Sequence, residues 1–365
     1  MNTTNIDDMV LKELARLRAD LEANQGQLRA TQRRLKATWA VCFAVLLGGL
    51  GLAASPTAQA QFGITLASLN ARLTVVENKT TPLSYNAATK LLSVTGANVM
   101  IIDGTGATSS TSGLGNLQVG YNLLRGDGDL RTGSHNLIVG DQNNYASSGG
   151  LVGGQFNEIS GNYASVSGGY GNLASGGVAS VSGGRNNTAS GPGASVSGGD
   201  SNTASGIISS ASGGNGNLAS GDYTSVSGGY KNTSSITYAS ISGGSDNTAS
   251  GPAASVSGGQ FNTASYPNAS ISGGRSNTAS GFYTSVSGGS DNTVSALYTS
   301  VSGGQFNTAS VDFASVSGGF GNAANGIYAS VSGGYRNVAS GNLSSILGGN
   351  TINLNTPEAT YPAGP

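Results

Sequence analysis

From about residue 149 to 349, apolar and polar positions recur every fifteen residues. The serine of the motif ASVSGG stands at Ser165, Ser180, Ser195, Ser210 and onward to Ser345, without insertion or deletion. A flexible Gly/Ser linker has no reason to hold such a phase, so the pattern predicts a stacked repeat array. The consensus of one turn is A-S-V-S-G-G-x-x-N-T-A-S-G-x-Y. Neighbouring side chains of a strand point to opposite faces. The column Leu151, Val166, Val181, Val196, Ala211, Val226, Ile241, Val256, Ile271, Val286, Val301, Val316, Val331, Ile346 is apolar throughout and is expected to point inward. Its flanks, such as Ser165 and Ser167, are expected outside. A second inward column is small: Ala174, Ala189, Ala204, Ala219, Ala249, Ala264, Ala279 and Ala309, flanked by residues such as Thr188 and Ser190. Each turn thus predicts two short strands joined by two corners.

The corners carry the invariants. Gly168-Gly169 and its equivalents recur, and glycine accepts the positive φ of a sharp turn. An asparagine closes the same corner in every turn. After Asn157 the column runs Asn172, Asn187, Asn202, Asn217, Asn232, Asn247, Asn262, Asn277, Asn292, Asn307, Asn322, Asn337. A corner asparagine can hydrogen-bond its own backbone and the amide stacked above it, so the column is expected to be a structural ladder. The fold class expected is all-β: a parallel β-solenoid, or β-roll, of 15-residue turns. At ~4.8 Å per turn the rod is about 65 Å long.

Different patterns precede the array. Leu14, Leu21, Leu28 and Leu35 fall seven apart, with Val10, Leu17, Asn24 and Thr31 in the complementary position. That is a heptad helix over residues 7–36, read either as a coiled coil or as an unpartnered amphipathic helix. Basic residues at Arg29, Arg33, Arg34 and Lys36 lead into the uncharged run 37–54, and Ala58-Gln59-Ala60 follows. This is the order of a secretory signal with a long N-terminal extension, cleaved after Ala60. Left uncleaved, the run would be a type II membrane anchor with the same orientation, residues from Gln61 exported. Leu66, Leu69, Leu73 and Val76 form a short second heptad, expected to gather chains or simply to cap the array. Leu91–Val94 and Val99–Ile102 look like buried strands, and Gly115–Gly120 and Ser134–Gly140 look like imperfect first turns. The expected organisation is 1–36 heptad helix, 37–60 signal or anchor, 61–81 short coiled-coil cap, 82–148 irregular β turns, 149–350 solenoid and 351–365 tail.

Composition narrows the chemistry. Glycine numbers 60, charged residues make up 9% and the net charge is −1, so nothing points to nucleic acid. The single cysteine, Cys42, allows no disulfide within the chain. The lone histidine, His135, has no partner cysteine or carboxylate nearby in sequence and is read as structural. The acidic residues Glu158, Asp200, Asp222, Asp246, Asp291 and Asp312 fall in different phases and form no paired-carboxylate column for acid–base work. The double glycines resemble calcium-binding nonapeptides, but no aspartate column accompanies them. No P-loop motif occurs. No enzyme activity and no cofactor are therefore expected, and the scarcity of carboxylates argues against a polysaccharide-modifying enzyme on this scaffold.

Two columns remain as contact surfaces. One corner carries Tyr163, Tyr223, Tyr238, Tyr283, Tyr298, Phe313 and Tyr328. They are read as a lid or inter-chain seam, or as rings that stack on carbohydrate or matrix ligands. The other corner varies, as at Tyr170, Arg185, Asp200, Lys231, Gln260 and Phe261, and variable corners can hold specificity. On a strand face, Thr188, Thr203, Thr248, Thr263, Thr278, Thr293 and Thr308 could order water, with Leu218 interrupting them.

The segment SHNLIVGDQNN at 134–144 and the YASVSGG and NTASG turns resemble the left-handed β-roll heads of YadA-like trimeric autotransporter adhesins, over about 115–350. That resemblance implies a left-handed roll, a homotrimer and an adhesin-like role at an extracellular surface, against matrix or carbohydrate. No coiled-coil stalk or membrane β-barrel segment follows residue 350, where the sequence reads TINLNTPEATYPAGP, so a head without self-export is expected. A thin core of one valine and one alanine per turn also favours lateral burial between chains. The half-turn x-x-N-T-A-S-G is similar to grass ice-binding β-rolls, which keeps an ice-binding solenoid as the alternative. In either reading the membrane is met only through 37–54.

Overall fold

A computed structural model describes residues 66–80, 82–126 and 128–362. The heptad helix of 7–36, the apolar run 37–54 and the Ala58–Ala60 site lie outside the described residues. Among those described, no helix is long and apolar enough to cross a membrane. The chain divides between Val99 and Met100 into two compact units.

The first unit contains helix α1 (Leu66–Thr80) and an antiparallel hairpin, β1 (Leu83–Asn86) with β2 (Leu91–Val94). The Oδ1 of Asn86 accepts from the amides of Ala88 and Thr89, which closes the turn between the strands. Leu73 and Val76 of the short heptad lie exposed on α1. Leu91–Val94 is a strand but is not buried, because a two-stranded hairpin has no second layer to cover it. Val99–Ile102 is neither strand nor buried; it is bracketed by Gly96 and Gly104 in positive-φ turns and pairs with nothing.

The second unit is a parallel β-solenoid of about fifteen turns. Its first ladder starts at Leu117–Val119, passes through Leu137–Asp141, Leu151–Gln155 and Ser165–Val166, and continues turn by turn to Thr360–Tyr361. Its second ladder is a 15-stranded sheet from Asn144–Tyr145 to Asn353–Leu354. A third line of parallel bridges joins one residue per turn, from Gln155 and Tyr170 to Tyr335 and Asn350. The ladders begin before residue 149 and run past 350, so residues 351–361 add a further turn.

The inward columns are fully buried. Val166, Val181 and Val256 are at most 1% exposed, and the alanine column from Ala174 to Ala309 is closed. One assignment changes. Leu151 pairs with Ser165 and is half-buried, while Val152 pairs with Val166 and is closed. The strand register there is fourteen residues, as it is between Leu137 and Leu151, whereas the corner bridge Gln155–Tyr170 spans fifteen. The extra residue therefore enters between Val166 and Tyr170. A Cβ on Gly153 would strike the Ser167 carbonyl, but one on Gly168 would meet nothing, so Gly168 is the residue that bulges out. A third inward column also closes the core: Ala164, Ala179, Ala194, Ser209, Thr224, Ala239 and their successors, two residues before each valine.

Each regular turn bends at three positive-φ residues, exemplified by Gly184, Asn186 and Gly193. Most strand amides donate forward to the next turn, as Ser165 N–H does to Ala179 O (2.9 Å). Amides at two of the corners point the other way: Asn186 N–H reaches Tyr170 O (2.9 Å), and Val178 N–H reaches Asn162 O (2.8 Å), each in the preceding turn. The left-handed conformation is what reverses the peptide, so neither neighbour of a turn is left with an unpaired corner. Of the double glycine only the second bends: Gly169 has φ +87° and a Cβ there would lie 2.2 Å from Gly184 O, while Gly168 has no positive φ.

Candidate functional site

The asparagine column lies inside the rod, not on its surface. Asn172 through Asn337 are buried, and each side chain is hydrogen-bonded through both its oxygen and its amide nitrogen. The Oδ1 of Asn187 accepts from Asn202 N–H (2.9 Å). Its Nδ2 donates to Gly183 O (2.9 Å) in the same turn and to Gly199 O (3.0 Å) in the next. The same three bonds recur up to Asn337, whose Oδ1 accepts from Ile352 N–H. The column also reaches further back than the repeat does. Asn157 N–H donates to Asn143 Oδ1 (3.0 Å), and Asn143 N–H donates to Asn122 Oδ1 (2.6 Å). A period of fifteen could not find Asn122 and Asn143, because they are 21 and 14 residues from their successors. With every amide committed within the rod, this column has nothing to offer a ligand.

The aromatic column is exposed, at 38–63% for Tyr163, Tyr223, Tyr238, Tyr283, Tyr298, Phe313 and Tyr328. Every one of these residues has positive φ. The rings stack along the rod: Tyr223 on Tyr238 at 5.2 Å, and Tyr283, Tyr298, Phe313 and Tyr328 in series at 5.0, 5.4 and 4.6 Å. Interplanar angles of 9–18° mean that ring faces cover one another and ring edges face out. Val178, Ile208 and Leu343 hold the same left-handed position in their turns and are also exposed. Together these side chains form an apolar ridge along a corner of the rod, interrupted at Gly193, Ala253 and Asn268.

The threonines face outward from the second ladder, half-buried and in strict register. Thr188 pairs with Thr203, and Thr248, Thr263, Thr278, Thr293 and Thr308 follow one another. Thr233 pairs with Thr248 and lengthens that run. The fifteen-residue phase already places it there, although Ser234 breaks the N-T-A-S pattern beside it. Leu218 separates the two groups.

Charged groups are engaged locally. Arg185 forms an ion pair with Asp200, and Ser201 followed by Arg185 holds the Asp200 carboxyl below its usual range. Asp222 and Asp312 accept from the amides of Ile207 (2.9 Å) and Leu297 (3.1 Å), one turn earlier. Arg125 lies against Glu158 (3.7 Å) and donates to the carbonyls of Gln142 and Asn157 at the start of the second ladder. Burial lowers its pKa more than Glu158 raises it. His135 uses both ring nitrogens: Nε2 accepts from Asp103 N–H (3.3 Å), and Nδ1 lies 3.1 Å from Thr108 O. The Asp103 carboxylate accepts from Thr105 (2.9 and 2.8 Å) and from Ser112 Oγ (2.8 Å). Hydrogen bonds, from Ser110 first and then from Thr105, hold it far below the normal carboxylate range. Among the described residues, no group of three or more His, Cys, Asp and Glu side chains converges. No protein-family model matches this chain, and no curated protein matches it in sequence.

Proposed function

We propose that this protein is an exported, non-enzymatic repeat rod, assembled as a homotrimer and displayed outside the cell in an adhesin-like role. The observation that carries the reading is the uninterrupted asparagine ladder. It ties each turn to the next through a buried, hydrogen-bonded side chain, so what varies most from turn to turn is surface. A stiff scaffold with tolerant corners suits presentation of a repeated surface to matrix or carbohydrate. Because the ring faces of the aromatic column are turned on one another, contact there would be made by ring edges and phenol hydroxyls. The resemblance of 115–350 to YadA-like heads supports the trimer and the surface role. The test is localisation and adhesion in the producing cell. The chain is expected outside the cytoplasm, starting at Gln61, cut by externally added protease, and promoting attachment to immobilised matrix glycans. Protein retained in the cytoplasm would sink the reading.

A second reading rests on the in-register threonines from Thr233 to Thr308, whose methyl and hydroxyl groups repeat at about the strand spacing of ~4.8 Å. An ice-binding face of this kind predicts thermal hysteresis that is lost in Thr263→Leu and Thr278→Leu variants. Absence of hysteresis in the parent chain removes it.

A further inference from the structure

The ridge poses a physical problem. Left-handed backbone is costly for any side chain with a Cβ, by about 1–2 kcal/mol, and is a marked outlier for bulky or β-branched residues. Val178 and Ile208 nevertheless adopt it, at φ 53° and 52°, and both are exposed. The backbone does not demand this. Gly193 and Asn268 fill the same position in other turns at φ 66° and 57°. A second left-handed corner, one position before each asparagine, supplies the control. It holds Gly171, Asn186, Ser201, Asp246 and Ser276, small or polar residues, and also the charged Lys231 and Arg336, with aromatics at Phe156, Phe261 and Phe306. Two corners with the same conformation therefore carry different chemistry, and the apolar one is both strained and exposed to water.

We infer that this ridge is the line along which copies of the chain pack side by side, parallel and in register. The inference rests on the homotrimer reading and locates its interface. Three features select a second copy as the occupant. The ridge advances by one turn, and only a partner with the same rise meets it level by level over its twelve steps, about 58 Å. The ridge position carries no charged residue from Tyr163 to Leu343, as the centre of an interface requires. The area also suffices: the seven aromatic and three aliphatic side chains are roughly half exposed. At about 100 Å² each, they offer roughly 1,000 Å² per chain, against about 800 Å² per partner in a standard stable interface.

The test uses the full chain in detergent solution, with mass measured by light scattering. The parent should have the mass of a trimer. A variant carrying Tyr283→Asn, Tyr298→Asn, Phe313→Asn and Tyr328→Asn, the residue this position already holds at Asn268, should show a threefold drop in mass with an unchanged far-ultraviolet spectrum. Cross-linking supplies a readout independent of that variant's folding. In a Cys42→Ser background, Tyr298→Cys should be joined to its own copy by a short thiol cross-linker, and Ser257→Cys on the serine face should not. An assembled parent whose quadruple variant stays assembled overturns the ridge and leaves assembly through another face. The ridge is equally overturned if Ser257→Cys cross-links as readily as Tyr298→Cys, or if neither does. A monomeric parent overturns both the ridge and the trimer.

Discussion

The opening turns, from about Leu114 to Gly150, and the regular array after them solve the same problem with different side chains. Both stack on the same ladder: Leu117, Leu137, Leu151 and Ser165 follow one another in register, across spacings of 20, 14 and 14 residues. The opening turns use two asparagine ladders. One runs Asn122–Asn143–Asn157 into the array, and the other joins Asn116 Oδ1 to Asn136 N–H and Asn136 Oδ1 to Gly150 N–H, both at 2.8 Å. The second ladder stops there, and the alanines beginning with Ala164 close that side of the core instead. The outer face changes at the same level, from Leu117, Val119, Leu137 and Val139 to the serines that begin at Ser165 and Ser167. Register is thus held by backbone pairing with the neighbouring turn. The strict period belongs to side chains that fit a corner of fixed size.

The comparison breaks first at the core. Val256→Asp, between Ile241 and Ile271, should destabilise the rod by about 4 kcal/mol or more, as an uncompensated buried charge does. Ser255→Asp, half-buried on the outer face, should stay within about 0.5 kcal/mol. In a solenoid the damage is local at first and then divides the array into two shorter cooperative blocks. Thermal melting of both variants beside the parent is the measurement, and equal melting would mean that the inward and outward faces are misassigned.

The double glycine gives the next effect. Gly259→Ala forces a Cβ to 2.1 Å from Gly274 O at φ +87°, and should cost more than about 2 kcal/mol. Gly258→Ala places its Cβ in open space and should melt with the parent. If the two melt alike, Gly258 is not an outward bulge.

Removing one asparagine separates the two regions most directly. Asn262→Ala orphans the buried amide of Asn277 and should cost about 2 kcal/mol in the middle of the array. Asn136→Ala orphans the amide of Gly150 but should loosen only the opening turns. Hydrogen exchange should show protection lost on both sides of residue 262 in the first variant and only before about residue 151 in the second.

A gain is expected at Ser234. It stands in the alanine column between Ala219 and Ala249, and its buried hydroxyl has no partner. Ser234→Ala should stabilise the rod by about 1 kcal/mol, seen as a raised melting temperature. The smallest effect is one of pH in the segment just before the opening turns. The folded Asp103 carboxyl is depressed, so its contribution to stability is complete above the unfolded value of 3.8 and is lost only as pH falls toward the lower folded value. Amide signals of residues 103–112 should therefore stay fixed as the pH is lowered to 4 and broaden well below it. Loss of those signals near pH 5 would contradict the hydrogen bonding seen around Asp103.

Much of this molecule is legible from residue order alone. Alternation and phase place Val166, Val181 and Ala174 inside, and the recurrence of asparagine marks a column. Both follow from local geometry, because strand side chains alternate and identical turns repeat the same environment. Tertiary pairing decided the rest. It put Val152 rather than Leu151 against Val166, extended the asparagine ladder to Asn122 across turns of unequal length, and buried the alanines beginning at Ala164 as a third column. It also set the column from Tyr163 to Leu343 in left-handed backbone and left its large side chains exposed. In the opening turns a hydrogen bond to the next turn leaves no fixed spacing in the chain, and in the array no single residue type marks the left-handed corner; each is set by where the neighbouring backbone lies.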